Sequence, residues 1–283
     1  MERQYPKRGI IGIILILVFW TLNWSLQGAR THILFFPQWL GYALTIDAIV
    51  YLRKGTSLFA RSWKRYIGLF VISAPAWWLF ELFNLRLENW VYRGKDIFSS
   101  VQYAIFATFS FSTVIPAVLG TAELAGTFKW IHRLGRGPRF EYKKSQVLAT
   151  FISGWVMLIC LLIWPRYCFP LVWISVYFII DPVNTWWKNR SLFQKVEHGD
   201  WRPVAALWVG SLICGFFWEF WNYFAYPKWV YQVPFVDFLH IFEMPILGYL
   251  GYLPFSMELF ALYHLFTRIA GQYDASYIQL VRN

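Results

Sequence analysis

The sequence predicts an all-α integral membrane protein of about eight transmembrane helices, built as two parallel four-helix repeats with both termini in the cytoplasm. Three observations carry that prediction. The chain is 58% hydrophobic and only 14% charged, outside the range of soluble domains. Apolar runs of roughly 20 residues, the length that crosses a bilayer, recur along it. One pattern is also written twice: Trp39-Leu40-Gly41-Tyr42-Ala43-Leu44-Thr45-Ile46-Asp47 with Ser57-Leu58-Phe59 returns as Trp173-Ile174-Ser175-Val176-Tyr177-Phe178-Ile179-Ile180-Asp181 with Ser191-Leu192-Phe193, at a constant offset of 134 residues.

The first apolar run, 10–26, follows the basic residues Arg3, Lys7 and Arg8 and is not followed by a small-residue cleavage site, so it reads as a retained signal anchor. Further spans are expected at 33–52, 66–86, 98–128, 146–164, 168–187, 203–226 and 235–266. The fourth span of each half exceeds 30 residues and carries a matched proline, Pro116 and Pro254, so both are expected to be kinked or broken. The later one adds Pro245, Gly248 and Gly251. Four spans is an even number, so both copies enter the membrane from the same side, and residues 1–140 and 141–283 form the two halves. The Gly- and Arg-rich stretch Arg133 to Arg139 joins them as a solvated connection.

The net charge of +11 follows from this topology. With the N-terminus inside, 20 of the 26 Lys and Arg residues fall on the cytoplasmic side and six on the other: Arg30, Arg86, Arg93, Lys95, Arg166 and Lys228. The positive-inside rule accounts for that excess, and no nucleic-acid partner is expected. Cys160, Cys168 and Cys214 lie in or beside apolar runs with no paired spacing, as inert core thiols do.

A second recurrence bears on function. Trp78-Leu79-Phe80-Glu81-Leu82-Phe83-Asn84, followed by Trp90-Val91-Tyr92, returns as Trp218-Glu219-Phe220-Trp221-Asn222 followed by Trp229-Val230-Tyr231. A carboxyl group at the centre of a membrane helix costs about 2.5 to 3.5 kcal/mol, so its presence in both copies invites a functional reading. If the eighth span runs as a helix from Phe235, Glu219 and Glu243 lie at one depth, about 10 Å in at roughly 1.5 Å per residue. His240 and Glu243, three residues apart, would then share a helix face, as Glu219 and Asn222 do on theirs. Glu219, Glu243, His240 and Asn222 are therefore the candidate catalytic cluster. Glu81, Asn84, Trp218, Trp221, Trp229 and Tyr231 are the candidate substrate wall. Gln102 and Ile105 stand where His240 and Glu243 stand in the second half, which assigns more of a single site to the second half or to the junction between halves.

Structural alternatives exist for each of these residues. A Glu-x-x-Asn pair also serves as interhelical glue worth about 1 kcal/mol. Asp47 and Asp181, near cytoplasmic helix ends beside Arg53, Lys54, Lys188 and Arg190, are suited to ion pairing or capping. Trp-Val-Tyr fits an aromatic belt, and Glu123 and Glu258 fit a polar groove. Glu219, His240 and Glu243 also contain iron or zinc donors, but one histidine is thin support for a metal, and five histidines in all exclude multi-histidine oxygenases. No metal or cofactor is expected.

Glu219 on one helix, the aromatic turn Trp229-Val230-Tyr231 and the acidic, proline-containing start Phe242-Glu243-Met244-Pro245 together resemble the small integral-membrane carotenoid cyclases and hydratases: the heterodimeric-type lycopene cyclases and the bisanhydrobacterioruberin hydratases. The resemblance covers 215–258 and, in outline, 76–123. It implies that a membrane-embedded acid, Glu219 or Glu243, protonates a polyene whose cation is closed into a ring or captured by water. The chain departs from the cyclase pattern in lacking a double acid of the Pro-x-Glu-Glu type, with only Glu243 before Pro245. The leading expectation is thus a membrane enzyme acting on an isoprenoid, carotenoid or other lipid by carboxylic-acid general acid catalysis. A proton-coupled transporter built from a parallel repeat, and a non-catalytic pigment- or quinone-binding subunit with partner subunits in a membrane complex, are the alternatives.

Overall fold

The computed structural model describes residues 4–281, so Arg3 of the basic N-terminal flank lies outside the described residues. The fold is all-helical apart from two short ribbons. In chain order it runs α1 (Lys7–Ser25), α2 (Thr31–Lys54), the short α3 (Leu58–Arg61), α4 (Trp63–Leu87), β1 (Trp90–Arg93), α5 (Ser100–Phe111) and α6 (Val114–Ala125). It continues with α7 (Lys144–Ile163), α8 (Pro165–Cys168), α9 (Ser175–Trp186), α10 (Leu192–Glu197), α11 (Arg202–Tyr223), β2 (Lys228–Tyr231), β3 (His240–Ile241), β4 (Met244–Pro245) and α12 (Tyr252–Ile269). Among the described residues, eight helical stretches are long and apolar enough to cross a membrane. Ile10, Ile14 and Leu17 on α1, Leu82 and Leu85 on α4, and Ile152, Ile159 and Ile163 on α7 are exposed, a lipid-facing belt around the bundle.

The helices approach closely where side chains are small. A Cβ on Gly12 of α1 would sit 2.7 Å from the carbonyl oxygen of Gly41 on α2, and one on Gly210 of α11 would sit 2.5 Å from Cα of Ala122 on α6. Small residues that admit such contacts supply the dispersion energy that holds helices together in lipid, where the hydrophobic effect does not. The crossing of α6 and α11 is the centre of the molecule: Ile115, Leu119 and Ala122 on α6 and Leu207 and Cys214 on α11 are all fully buried.

Three spans are interrupted, and a side chain from a facing helix serves the first two interruptions. The fourth breaks at Ser112 and Thr113, and Ser73 of α4 repairs the gap: its hydroxyl donates to the Phe111 carbonyl (2.5 Å) and accepts from Ile115 N–H (3.0 Å). The sixth passes through α8 and a 3-10 turn, Phe169–Trp173, before α9. At the start of α9, Glu258 of α12 accepts from the N–H groups of Val176 (3.2 Å) and Tyr177 (3.4 Å). The eighth opens as a 3-10 turn, Ile246–Gly251, rather than as a helix from residue 235. Residues 235–245 instead fold as an irregular segment ending in the β3–β4 hairpin, with His240 opposite Pro245 and Ile241 opposite Met244. Pro234 and Pro245 bracket this segment, and Phe235, Leu239 and Phe242 have positive φ, which a helix does not permit.

Asp47 and Asp181 make matched contacts. Asp47 accepts from the Ser57 hydroxyl (2.9 Å) and Phe59 N–H (2.9 Å), and Asp181 from the Ser191 hydroxyl (2.5 Å) and Leu192 N–H (3.2 Å). Each thereby fastens a span to the short helix that follows. Asp47 also pairs with Arg8 at 2.7 Å, whose guanidinium lies over the Phe59 ring. Tyr142 stacks on Phe193 in the second half, a ring where the first half has a cation. Glu123, fully buried on α6, pairs with Lys54 and Arg61 and accepts from Gln279 N–H at 2.7 Å, so it anchors the C-terminal segment rather than facing an open groove.

Gly210→Val is expected to lower stability by about 1–3 kcal/mol, because the added carbons meet backbone at the α6–α11 crossing. Gly68→Val, where a Cβ meets nothing within 4 Å, should be close to neutral. Unfolding midpoints in detergent check this, and equal midpoints for the two variants would contradict the packing described.

Candidate functional site

The two Trp-Val-Tyr segments find each other. β1 and β2 pair antiparallel with Trp90 opposite Tyr231, Val91 opposite Val230 and Tyr92 opposite Trp229. Alternation along a strand puts Trp90, Tyr92, Trp229 and Tyr231 on one face, with the valines on the other. That aromatic face forms one wall of a cavity of about 170 Å³.

A two-stranded ribbon is marginal by itself, and here side-chain amides complete it. Asn84 on α4 donates from Nδ2 to the Trp90 carbonyl (2.7 Å) and accepts at Oδ1 from Trp90 N–H (3.3 Å) and Asn89 N–H (3.0 Å). Asn222 on α11 does the same to Trp229, donating at 2.7 Å and accepting at 3.1 Å. Each amide thus stands in for a further strand. The glutamates three residues earlier reach the side chains of the same ribbon. Glu81 Oε1 accepts from Tyr92 O–H (2.6 Å), Trp77 Nε1–H (2.9 Å) and Trp90 Nε1–H (3.0 Å). Glu219 Oε1 accepts from Tyr231 O–H (2.7 Å) and from Tyr252 O–H of α12 (2.8 Å). Burial pushes the Tyr92 and Tyr231 phenols well above their ordinary range, with the facing glutamates adding to it, so both remain donors.

The two carboxyl groups differ in burial and in their relation to the cavity. Glu219 is 0% exposed, lines the cavity and has an Oε2 with no hydrogen-bond partner. Glu81 is only half-buried and sits behind the wall, reaching the cavity through Trp77, Trp90 and Tyr92. The rest of the lining is mostly aromatic: Trp77 from α4, Phe106 and Phe111 from α5, Trp173 from the turn before α9, Trp218 from α11 and Phe255 from α12. Trp173 stacks on Trp90 at 5.9 Å between centroids, and Trp218 on Tyr252 at 6.3 Å.

The structure brings together part of the cluster that the sequence suggested. Glu219, Trp218, Trp229 and Tyr231 all line the cavity. Asn84 and Asn222 lie at its back as backbone clamps, not as reacting groups. Trp221 turns away to pack on Trp39 (5.1 Å) and Tyr42 (6.0 Å) between α2 and α11. His240 is exposed and bonded to Asp237 at 2.8 Å, and Glu243 pairs with Lys228. Neither His240 nor Glu243 lines the cavity, because the helical spacing that would have stacked them is replaced by a hairpin. Among the described residues no three His, Cys, Asp or Glu side chains converge, so Glu219, His240 and Glu243 do not assemble as a ligand set. Gln102 accepts from Ser99 N–H in a capping box and has no part in the site. Tyr252, Trp173, His32 and Lys95 were not singled out from the sequence as site residues. Of these, Trp173 opens the second copy of the recurring stretch, and Tyr252 lies beside the Gly251 and Pro254 that marked the eighth span as broken.

Asn84→Ala and Asn222→Ala are each expected to cost about 1–3 kcal/mol, since each strands a buried N–H and C=O of the ribbon. The unfolding midpoint reads this, and a midpoint unchanged in both variants contradicts the clamp. No family model, characterised protein or solved structure matches the chain, and the chemistry of the site is read from its own atoms.

Proposed function

We propose that this chain is a membrane-embedded enzyme that acts on an isoprenoid or other unsaturated lipid by carboxylic-acid general acid catalysis, with Glu219 as the proton donor. The observation that carries the reading is the asymmetry of that carboxyl group. Two phenols hold one oxygen in place, and the other has no hydrogen-bond partner, in a residue that belongs to the lining of a cavity walled by rings. A positioned acid of this kind contributes about 10² to 10⁴-fold to a proton-transfer step.

In the proposed reaction Oε2 gives its proton to one carbon of a substrate double bond, and the positive charge appears on the other carbon. Trp90, Trp173, Trp218 and Trp229 line the cavity, and indole rings near that charge stabilise it without bonding to it. The cation is discharged by closure on a second double bond with loss of a proton, or by addition of water. In either case the released proton returns to the Glu219 carboxylate, and the enzyme is restored. Tyr231 and Tyr252 remain hydrogen-bonded to Oε1 throughout and keep the carboxyl from rotating away from the substrate.

The same proposal includes the chain's architecture: a parallel duplication, N-in and C-in, in which the first half gives Glu81 a mainly structural role and the second half gives Glu219 the reactive one. The matched Asp–Ser contacts and the matched Asn clamps support the duplication. The basic residues concentrated in the loops away from the β1–β2 ribbon support the orientation.

The test is the lipid-extract profile of cells expressing the protein. Glu219→Gln, which keeps an acceptor for both phenols, should reduce the product that wild type forms by about 10² to 10⁴-fold while the protein accumulates normally. Glu243→Gln should cost less than about 10-fold, a loss of under roughly 1.4 kcal/mol. A product unaffected by Glu219→Gln would refute the assignment.

A further inference from the structure

Two polar groups on the cavity lining have no counterpart in an all-hydrocarbon ligand. Lys95 follows the β1–β2 ribbon directly, is exposed, and holds its ammonium 4.6 Å from the centre of the Tyr103 ring on the cavity wall. No carboxylate pairs with it among the described residues, and Asp96 beside it in the chain is itself exposed. His32, at the start of α2, packs its ring on Phe98 (4.8 Å) and Phe106 (4.7 Å), and its buried Nδ1 has no hydrogen-bond partner. That nitrogen is enclosed, so His32 contributes its ring to the lining beside Lys95.

The charge around this mouth is also one-sided. Arg93 lies opposite Lys228 in the ribbon and Lys95 stands two residues further on, three cations against the single exposed acid Asp96 in this stretch of β1 and the turn after it. The nearby acid, Glu243, is already engaged by Lys228. A cavity of about 170 Å³ is close to the roughly 150 Å³ that takes one benzene ring, so it holds the reacting end of a chain and not a whole long polyene.

On the acid-catalysis reading above, we infer that the substrate is an acidic amphiphile, an unsaturated short-chain lipid whose phosphate or carboxylate head sits at Lys95 and His32 while its first double bonds reach Glu219. The head accepts hydrogen bonds from the exposed Lys95 ammonium and rests beside the His32 ring. The tail displaces disordered water from the aromatic walls. Recognition at the mouth and chemistry at the floor are separate interactions, and each is removable without the other.

The experiment is a binding titration of the purified full-length protein in neutral phosphatidylcholine nanodiscs, read by the fluorescence of the tryptophans that line the cavity. The probes are geranyl phosphate, geranic acid, geraniol and inorganic phosphate. The two anionic amphiphiles should bind at least about 10-fold more tightly than geraniol, and Lys95→Ala should shrink that preference below about 3-fold while Lys95→Arg keeps it. Glu219→Gln should retain the wild-type preference, so a failure of the acid mechanism leaves this result standing, and the reverse. Equal affinity for geraniol, or a preference that survives Lys95→Ala, overturns the inference. Displacement of geranyl phosphate by millimolar inorganic phosphate alone also overturns it, since the mouth would then be a site for a free anion.

Discussion

Irregular backbone inside an apolar bundle has to be hydrogen-bonded by side chains, and that constraint organises this molecule. The β1–β2 ribbon is where it acts most strongly. Two short strands from distant parts of the chain close over the helices, and Asn84 and Asn222 complete their hydrogen bonding from α4 and α11. Ser73 at the break between α5 and α6, and Glu258 at the start of α9, solve the same problem elsewhere. These two breaks therefore each fix a polar residue on the facing helix.

The ribbon also determines what kind of cavity is present. Because the strands pair about Val91 and Val230, both tryptophans and both tyrosines of the recurring segments fall on one face and wall the same space. The tyrosines then need acceptors, and Glu81 and Glu219 supply them. Equivalence ends there. Trp77, Trp90 and Tyr92 donate to one oxygen of the half-buried Glu81, whereas Tyr231 and Tyr252 donate to one oxygen of Glu219, which is fully buried and on the cavity lining. Of the two matched acids, only Glu219 belongs to the cavity lining.

Much of this was legible in the sequence, for physical reasons that differ by element. The spans were readable because an apolar run of bilayer length has few other uses, and the observed helices fall within a few residues of the expected runs except at the eighth. That Glu and the Asn three residues on share a helix face was readable from helical spacing, whereas Trp229 and Tyr231 were named as candidate wall residues without the strand that presents them. The geometry of 235–245 was not readable. A helix assumed from Phe235 put His240 and Glu243 on one face beside Glu219, yet the segment is a hairpin with three bulky residues at positive φ. Nor does sequence show that Trp90-Val91-Tyr92 and Trp229-Val230-Tyr231 are strands. Four residues are too few for a period, and the partner of each lies more than a hundred residues away. His32 and Lys95 carried no local signal, since a lone histidine at a helix start and a lone lysine in a loop are commonplace.

The central claim is that Glu219 carries a transferable proton inside a cavity that a lipid can occupy. Infrared difference spectroscopy on the protein in nanodiscs, with and without a cavity-filling unsaturated ligand such as geraniol, addresses it directly. The account predicts a protonated-carboxyl stretching band that shifts when the ligand enters and is missing in Glu219→Gln. A ligand-induced spectrum with no carboxyl component, or one identical in Glu219→Gln, would contradict it.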